Sequence, residues 1–353
     1  MGIEKPLDFG LAEGGVSFYC GLGEGFLLNH CVKIGHRILW RIDEFKCNEF
    51  SKLERKIQTI PWNFFVGTQE PQFKVSSHSS RLFHKKNIEE TCINAFKKYR
   101  HGQPVRAKAS NSKTTIHIRF DDNVCTISVD TSGEHLHRRG YKTLSTEAPL
   151  RENLAAGLLN LTLEKINPPQ QSVFIDPMCG SGTFAGELWH LNRALFYRKY
   201  AYEDFFIIRH IERFGHRRLK DWNQQVENQY EFWLGDQDSK SISVAQKNLS
   251  MLENVSWANE ELSSQSFTSS NHPKWIVFNP PYGIRLKKSP QTLSMDQLIH
   301  SLVEKYDPIA VGVVKERDKS ASAPNSTHPL QLVERFVFLN NGVPVEFLLY
   351  QKP

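Results

Sequence analysis

Two short stretches, far apart in the chain, hold the side chains best suited to chemistry. One is Ile175-Asp176-Pro177-Met178-Cys179-Gly180-Ser181-Gly182-Thr183 and the other is Phe278-Asn279-Pro280-Pro281-Tyr282. Each is an apolar run that ends in a sharp turn with polar groups at its tip. An open α/β sheet builds ligand sites in this way, at the carboxyl ends of its strands. In the first stretch Gly180 and Gly182 carry no Cβ, so backbone can approach a ligand closely, with Pro177, Cys179, Ser181 and Thr183 completing the turn. Asp176 can accept a hydrogen bond from an ammonium group. Asp236 ends another apolar run, Phe232-Trp233-Leu234-Gly235, where a carboxylate can take both hydroxyls of a ribose. Asp238 reads instead as the N-cap of the next helix. Glu260, just past Val255–Ala258, suits an adenine amino group or a ribose hydroxyl, and Glu261 suits it equally well.

That set matches a ligand with an ammonium, a ribose and an adenine, and S-adenosylmethionine is such a ligand. A plainer use of the same residues is a tight turn with helix caps. A nicotinamide site would space its glycines G-x-G-x-x-G. Here Gly180, Gly182 and Gly186 put the third glycine one position late, and no acid sits where a short crossover would end.

The second stretch suits a planar amine. The exocyclic nitrogen of guanine or adenine is a poor nucleophile, because its lone pair is delocalised into the ring. Two acceptors aimed at its two hydrogens draw it towards a tetrahedral shape and free the lone pair. The Asn279 amide oxygen and the Pro280 carbonyl can be those acceptors. The prolines stiffen the corner, since each fixes its own φ and restricts the residue before it. Tyr282 offers a face for a base to stack on, worth roughly 1–3 kcal/mol per base in comparable sites. The methyl donor is already activated, so positioning can carry most of the rate without a strong general base. A base in structured nucleic acid would have to be flipped out to reach this corner.

These loops need a sheet to hold them. Pro149 opens an apolar helical stretch, Leu150–Leu163, which Asn167-Pro168-Pro169 ends. Strands and helices then alternate: Val173–Asp176, a helix from Thr183, Phe232–Gly235, a helix over Lys240–Leu252, Trp275–Asn279 and Ile309–Val314. Phe336–Leu339 and Val345–Tyr350 close the chain as a hairpin around Asn340-Asn341-Gly342. This is the pattern of a mostly parallel, doubly wound sheet with a terminal antiparallel hairpin. Residues 198–222 read as a basic, aromatic insertion between its first two strands. The part before Gly140 differs. A helix near Gly25–Ile34, a strand at Phe73–Ser77, a helix over Asn87–Tyr99 and strands at Val105–Ala109, Thr114–Phe120 and Cys125–Val129 make a small α+β unit. Asp121-Asp122-Asn123 turns its last hairpin.

The 353 residues carry a net charge of +6, unevenly spread. Residues 151–353 hold 22 basic and 22 acidic side chains, whereas residues 51–150 hold 17 basic against 9 acidic. A neutral catalytic half joined to a basic half fits a polyanionic substrate. Ser80-Arg81-Leu82-Phe83-His84-Lys85-Lys86 and Lys97-Lys98-Tyr99-Arg100 could touch RNA or simply face water, and for Arg209, Arg213, Arg217 and Arg218 water is the favoured reading. The six cysteines, Cys20, Cys31, Cys47, Cys92, Cys125 and Cys179, form no C-x-x-C pair or Cys/His cluster, so reduced, mostly buried thiols and no metal are expected. No apolar run is long enough to span a bilayer and no secretory signal opens the chain, so the expected location is cytoplasmic.

Four ordered motifs resemble one family. They are Asp130-Thr131-Ser132-Gly133-Glu134-His135-Leu136-His137-Arg138-Arg139-Gly140-Tyr141, Ala148-Pro149-Leu150-Arg151-Glu152-Asn153-Leu154-Ala155-Ala156, Asp176–Thr183 and Asn279–Gly283. The chain is similar over most of its length to the THUMP-domain guanine-N2 RNA methyltransferases, in their bacterial 23S rRNA branch. The resemblance implies a partial ferredoxin-like module over residues 1–50, a THUMP RNA-binding domain over 51–141 and a Rossmann-like class I methyltransferase domain over 142–353. It implies S-adenosylmethionine as cofactor and RNA as partner, 23S rRNA first and tRNA second. Two departures stand out. The first strand and helix of the ferredoxin-like module have no counterpart in residues 1–50, and Ile284 follows the Asn-Pro-Pro-Tyr-Gly run where related sequences tend to have a charge. The choice of guanine N2 over adenine N6, and of RNA over DNA, rests on the resemblance. From the residues alone the clamp also suits adenine N6 or a glutamine amide, and a non-catalytic RNA-binding assembly factor is the remaining alternative.

Overall fold

The computed structural model describes residues 10–12, 14–67, 69–101, 113–144, 150–208, 212–227, 230–281, 294–317 and 328–353, without the side chains of 12 and 212–214. The chain divides into two compact units, Met1–Leu136 with Ala194–Gln224, and His137–Arg193 with Gln225–Pro353.

The first unit opens with a short ribbon, β1 (Gly10–Ala12) and β2 (Gly15–Ser17), and a helix, α1 (Leu22–Cys31). There follow β3 (Leu39–Lys46), α2 (Phe50–Thr59), β4 (Gln72–His78), α3 (Lys85–Arg100), β5 (Thr115–Asp121) and β6 (Val124–Asp130). The four longer strands form one sheet in the order β3-β6-β5-β4, with β4 and β5 parallel and the other pairs antiparallel. Alternation places Ile116, Ile118 and Phe120 of β5 in the core. α2 adds Leu53 and Ile57, and α3 adds Ile88, Cys92, Ala95 and Phe96, each set at helical spacing. The β5–β6 turn takes positive φ at Asp122 (45°) and Asn123 (63°), the geometry that suits the twist of a two-residue hairpin. The expected strand at Val105–Ala109 lies outside the described residues.

The second unit begins with α4 (Glu152–Ile166), which starts later than the expected Leu150, Pro149 itself lying outside the described residues. Asn167 ends it in the left-handed region, its N–H bonded to Leu163 O. Next come β7 (Ser172–Asp176) and α5 (Thr183–His190). The chain then returns to the first unit. Residues 194–224 carry most of α6 (Glu212–Gln225), and Tyr200, Tyr202, Phe205 and Ile208 join the first unit's core. Tyr202 stacks on Phe26 at 5.4 Å between ring centroids. The insertion is aromatic for this reason: Tyr200, Tyr202 and Phe205 belong to a core built by residues far earlier in sequence.

The second unit resumes with β8 (Tyr230–Gly235), α7 (Ser239–Asn248), β9 (Val255–Ala258), β10 (Lys274–Phe278), α8 (Met295–Tyr306), β11 (Ala310–Glu316), β12 (Gln331–Asn340) and β13 (Val343–Gln351). The sheet order is β12-β13-β11-β10-β7-β8-β9, with the five strands from β11 to β9 parallel and β13 antiparallel to β11 and β12. This is the expected mostly parallel sheet with a terminal hairpin, whose turn has φ of 51° at Asn341 and 85° at Gly342. β7 is buried on both faces. Phe174 packs with α4, α5 and α7 on one side, while Val173 and Ile175 pack with α8 on the other. Ile299, Leu302 and Val303 of α8 are buried, each contributing roughly 1.5–3 kcal/mol. No helix among the described residues is long and apolar enough to cross a membrane.

Candidate active site

The order of strands places a switch point at β7, because the chain moves from β7 to β8 and β9 on one side and later to β10 and β11 on the other. Ligands bind outside the carboxyl ends of strands at such a point. The register levels the ends. Asp176 pairs with Leu234, Gly235 with Ala258, and Ile175 with Ile276. Asp176, Asp236, Asn259 and Asn279 therefore stand along one edge of the sheet. Neighbouring strands lie about 5 Å apart, so the turn after β7 and the corner after β10 are side by side.

The turn after β7 is built from backbone. Gly180 has φ 53° and Gly182 has φ 81°, left-handed values that glycine adopts without strain. A Cβ on Gly182 would meet Leu249 Cδ1 at 2.5 Å. Gly182 N–H donates to Cys179 O at 2.8 Å, and Cys179 N–H donates to Gly235 O at 2.8 Å. Gly180 N–H donates to Asp236 Oδ2 at 3.0 Å. The whole turn is thus fastened to the end of β8. Its Thr183 receives a hydrogen bond from Lys142 Nζ at 2.9 Å. Asn248 is buried and saturated. Its Oδ1 accepts from Thr143 N–H and Leu144 N–H, and its Nδ2 donates to Leu144 O and Ser181 O. Tyr141 and Arg139 both bond Glu187 of α5, and the Arg139–Glu187 pair is fully buried.

The acids differ in state. Asp176 is 2% exposed, and burial pushes its carboxyl well above the usual carboxylate range, with Asp236 adding to the rise. A cationic group beside it would reverse that shift. Asp236 is also raised, by burial first, and its two oxygens accept from Gly180 N–H and Asp238 N–H (2.9 Å). One lone pair on each oxygen is thereby used, and one remains for a ligand. Asp238 takes the role of N-cap, accepting from Lys240 N–H and Ser241 N–H, and the Ser241 hydroxyl holds its carboxyl below the usual range. Glu260 and Glu261 are both exposed, and the geometry does not separate them. The Cys179 thiol is buried and pushed well up by that burial, with Asp176 and Asp236 adding, which makes it a poor nucleophile.

Asn279 follows β10 directly, and Pro280 behind it is buried. Asn279 Oδ1 is buried and has no hydrogen-bond partner among the described residues, and the same holds for Ser181 Oγ. Buried polar atoms without partners are rare and call for an explanation. Here one lies in each loop, and a ligand with an amine and polar edges would satisfy both. The left-handed glycines, the free lone pairs on Asp236 and these two oxygens fit S-adenosylmethionine beside a planar amine. Tyr282 and Ile284 lie outside the described residues. Lys142, Asn248, Asn259 and Gln265, which hold the loops in place, went unnoticed in the sequence. Asn259 Nδ2 donates to Asp236 O at 3.0 Å and Gln237 O at 3.3 Å. Of these only Asn259 carries a sequence signal, a polar residue just beyond the strand Val255–Ala258.

Comparison with known proteins places the chain. Residues 139–338 match the family described as RMKL-like, methyltransferase domain. The K/L large-subunit ribosomal RNA methyltransferase of Psychromonas ingrahamii is 28% identical over 84% of this chain and 40% of its own length. A Bacillus subtilis protein, YpsC, named as a candidate RNA methyltransferase, is 26% identical over 88% of this chain and 80% of its own. The chain spans about two fifths of the length of the K/L relatives, between 36% and 42%. A solved structure from Clostridium difficile 630, described as a candidate methylase, superposes with a TM-score of 0.77 at 23% identity, covering 98% of this chain and 92% of that one, and so shares the fold. The family match covers more than half of the sequence, and the chain belongs to the RMKL-like methyltransferase-domain family.

Proposed function

We propose that this member of the RMKL-like methyltransferase family transfers a methyl group from S-adenosylmethionine to the exocyclic N2 of a guanine in RNA, with large-subunit ribosomal RNA as the first candidate and tRNA as the second. The observation that carries the reading is the Oδ1 of Asn279, buried and without a partner among the described residues, just past the strand next to the glycine turn. When bound, the cofactor supplies an electrophilic methyl on a sulfonium. Asp176 receives the cofactor's ammonium, the turn from Pro177 to Thr183 meets its backbone-facing edge, and Asp236 takes the ribose hydroxyls. Asn279 Oδ1 and Pro280 O accept the two hydrogens of the base's amine and turn its lone pair outwards, while Tyr282 stacks on the ring. Glu260, or Glu261, reaches the adenine. Support for RNA comes from the names of the K/L relatives and from the basic first unit.

We assign the first unit, as a THUMP-like module, to holding the RNA, in a cytoplasmic enzyme. Lys85 and Lys86 have no ion pair among the described residues, beside the 60% exposed Phe83. Lys97 and Lys98 are instead paired with Glu70 and Glu54, so the first cluster is the better candidate for phosphates. The test is incubation with labelled cofactor and a large-subunit rRNA transcript, then nucleoside mass spectrometry. N2-methylguanosine is expected. N6-methyladenosine would move the clamp to adenine, and absence of any methylated nucleoside with either rRNA or tRNA would defeat the assignment.

A further inference from the structure

Gln265 belongs to neither loop, yet three strand ends converge on it. It is 2% exposed. Its Nε2 donates to Pro177 O at 2.9 Å and to Glu260 O at 3.2 Å. Pro177 is the first residue after β7, and Glu260 lies just after β9. Between those strands β8 ends at Gly235, where a Cβ would stand 2.6 Å from the Gln265 amide. The amide thus lies over a position that must lack a side chain. Two carbonyl oxygens face Nε2, so the amide has one orientation; reversed, Oε1 would face them both. Gln265 N–H donates to Glu261 O at 3.0 Å, which turns the loop after β9 back towards the sheet. Oε1 is buried and has no partner among the described residues.

We propose that Gln265 is a positioning residue for the methyl donor. One amide fixes the separation between the turn after β7 and the loop after β9, and so sets the distance between the Asp176 and Glu260 ends of the cofactor site. This rests on the cofactor reading given above. A residue that merely filled space would affect stability and nothing more. Calorimetry with S-adenosylhomocysteine and thermal melting of the full chain separate the two roles.

Gln265→Ala is expected to weaken binding about tenfold to a hundredfold, the usual consequence of leaving buried carbonyls unpaired. Gln265→Glu keeps the size, loses both donations, and should weaken binding similarly. Gly235→Ala pushes on the amide and should also weaken binding. In the double variant Gly235→Ala/Gln265→Ala, the new methyl partly refills the hole. Its melting midpoint should rise above that of Gln265→Ala, while its affinity stays as weak. Affinity that recovers along with stability would make Gln265 a filler and overturn the proposal, as would wild-type affinity in both Gln265→Ala and Gln265→Glu. If the wild type itself binds no S-adenosylhomocysteine, the function proposed for the site fails and this assignment fails with it.

Discussion

Asn279→Ala sets stability against function at one atom. Asn279 Oδ1 is buried and lacks a donor among the described residues. An acceptor left in that state costs about 1–3 kcal/mol. Alanine removes this cost and gives up the packing of one half-buried amide, roughly 1 kcal/mol. The net expectation lies between no change and about 2 kcal/mol of added stability, a rise in melting midpoint of up to about 6 °C for a unit of this size. Turnover should move the other way. Loss of one preorganised hydrogen-bond partner of a transition state costs about a hundredfold to a thousandfold in kcat. Affinity for S-adenosylhomocysteine should hold, because the cofactor loop is fastened elsewhere. Asn279→Asp keeps an acceptor and should recover part of the loss. The assays are methyl transfer to an rRNA transcript, calorimetry and thermal melting. Turnover within threefold of wild type, or a melting midpoint lowered by more than about 4 °C, would refute the argument that this oxygen is held ready for an amine.

Three further outcomes follow from buried groups. Glu187→Ala strips the carboxylate from Arg139 in a pair whose side chains are both fully buried, and should cost about 3–5 kcal/mol by urea unfolding. The double change Arg139→Met/Glu187→Leu should recover much of it, and an additive double loss would contradict this. Gly182→Ala must place a Cβ 2.5 Å from the buried Leu249 at φ 81°, so about 2–5 kcal/mol of strain and overpacking and a loss of cofactor binding are expected. His30 bonds Leu195 O at 2.6 Å and the Tyr202 hydroxyl at 2.7 Å, and the hydroxyl meets His216 Nε2 at 2.6 Å. Burial first, then His216, lowers His30 to about 4. The folded first unit therefore binds fewer protons than the unfolded chain, and its stability is full above pH 6.5 and falls as pH drops towards 4, by on the order of 3 kcal/mol. His30→Phe should flatten that slope in melts followed by tyrosine and tryptophan fluorescence, and an unchanged slope would assign it to other groups.

The candidate site was more legible than its supports. Asp176, Gly180, Gly182 and Asn279 answer to demands that few residue types meet, such as a left-handed turn, a carboxylate at a strand end or an amide beside a proline. Such residues mark themselves in a sequence. Asn248 and Gln265 answer to a looser demand, a hydrogen bond across a gap set by the fold, and many residues at many positions could meet it. Elements divide in the same way. The parallel strands showed as apolar runs, and Asn167 and Gly342 marked ends and turns. α8 was missed although Ile299, Leu302, Val303 and Tyr306 have helical spacing and Ser294 with Gln297 forms a capping box. The proline and lysine run just before it hid the start. α2 was missed because it has only Phe50, Leu53 and Ile57 as apolar residues, among polar and charged neighbours.

The insertion shows a limit of a different kind. Read along the chain, residues 198–222 interrupt a βα alternation and look like an ornament on the sheet. In space, residues 194–224 complete another unit: Tyr202 stacks on Phe26 and bonds His30, and Ala194 and Leu219 pack with Leu27. Gly215 has no side chain because a Cβ there would meet Leu27 at 2.6 Å. A core needs apolar side chains in one place and does not require them to be consecutive. The chain therefore crosses between units three times, at residues 136/137, 193/194 and 224/225. One consequence is that the first unit cannot be cut out as residues 1–136. Without Tyr200, Tyr202, Phe205 and Ile208 its core would be left open, and the segment that closes it leaves from α5, the helix that begins at the glycine turn.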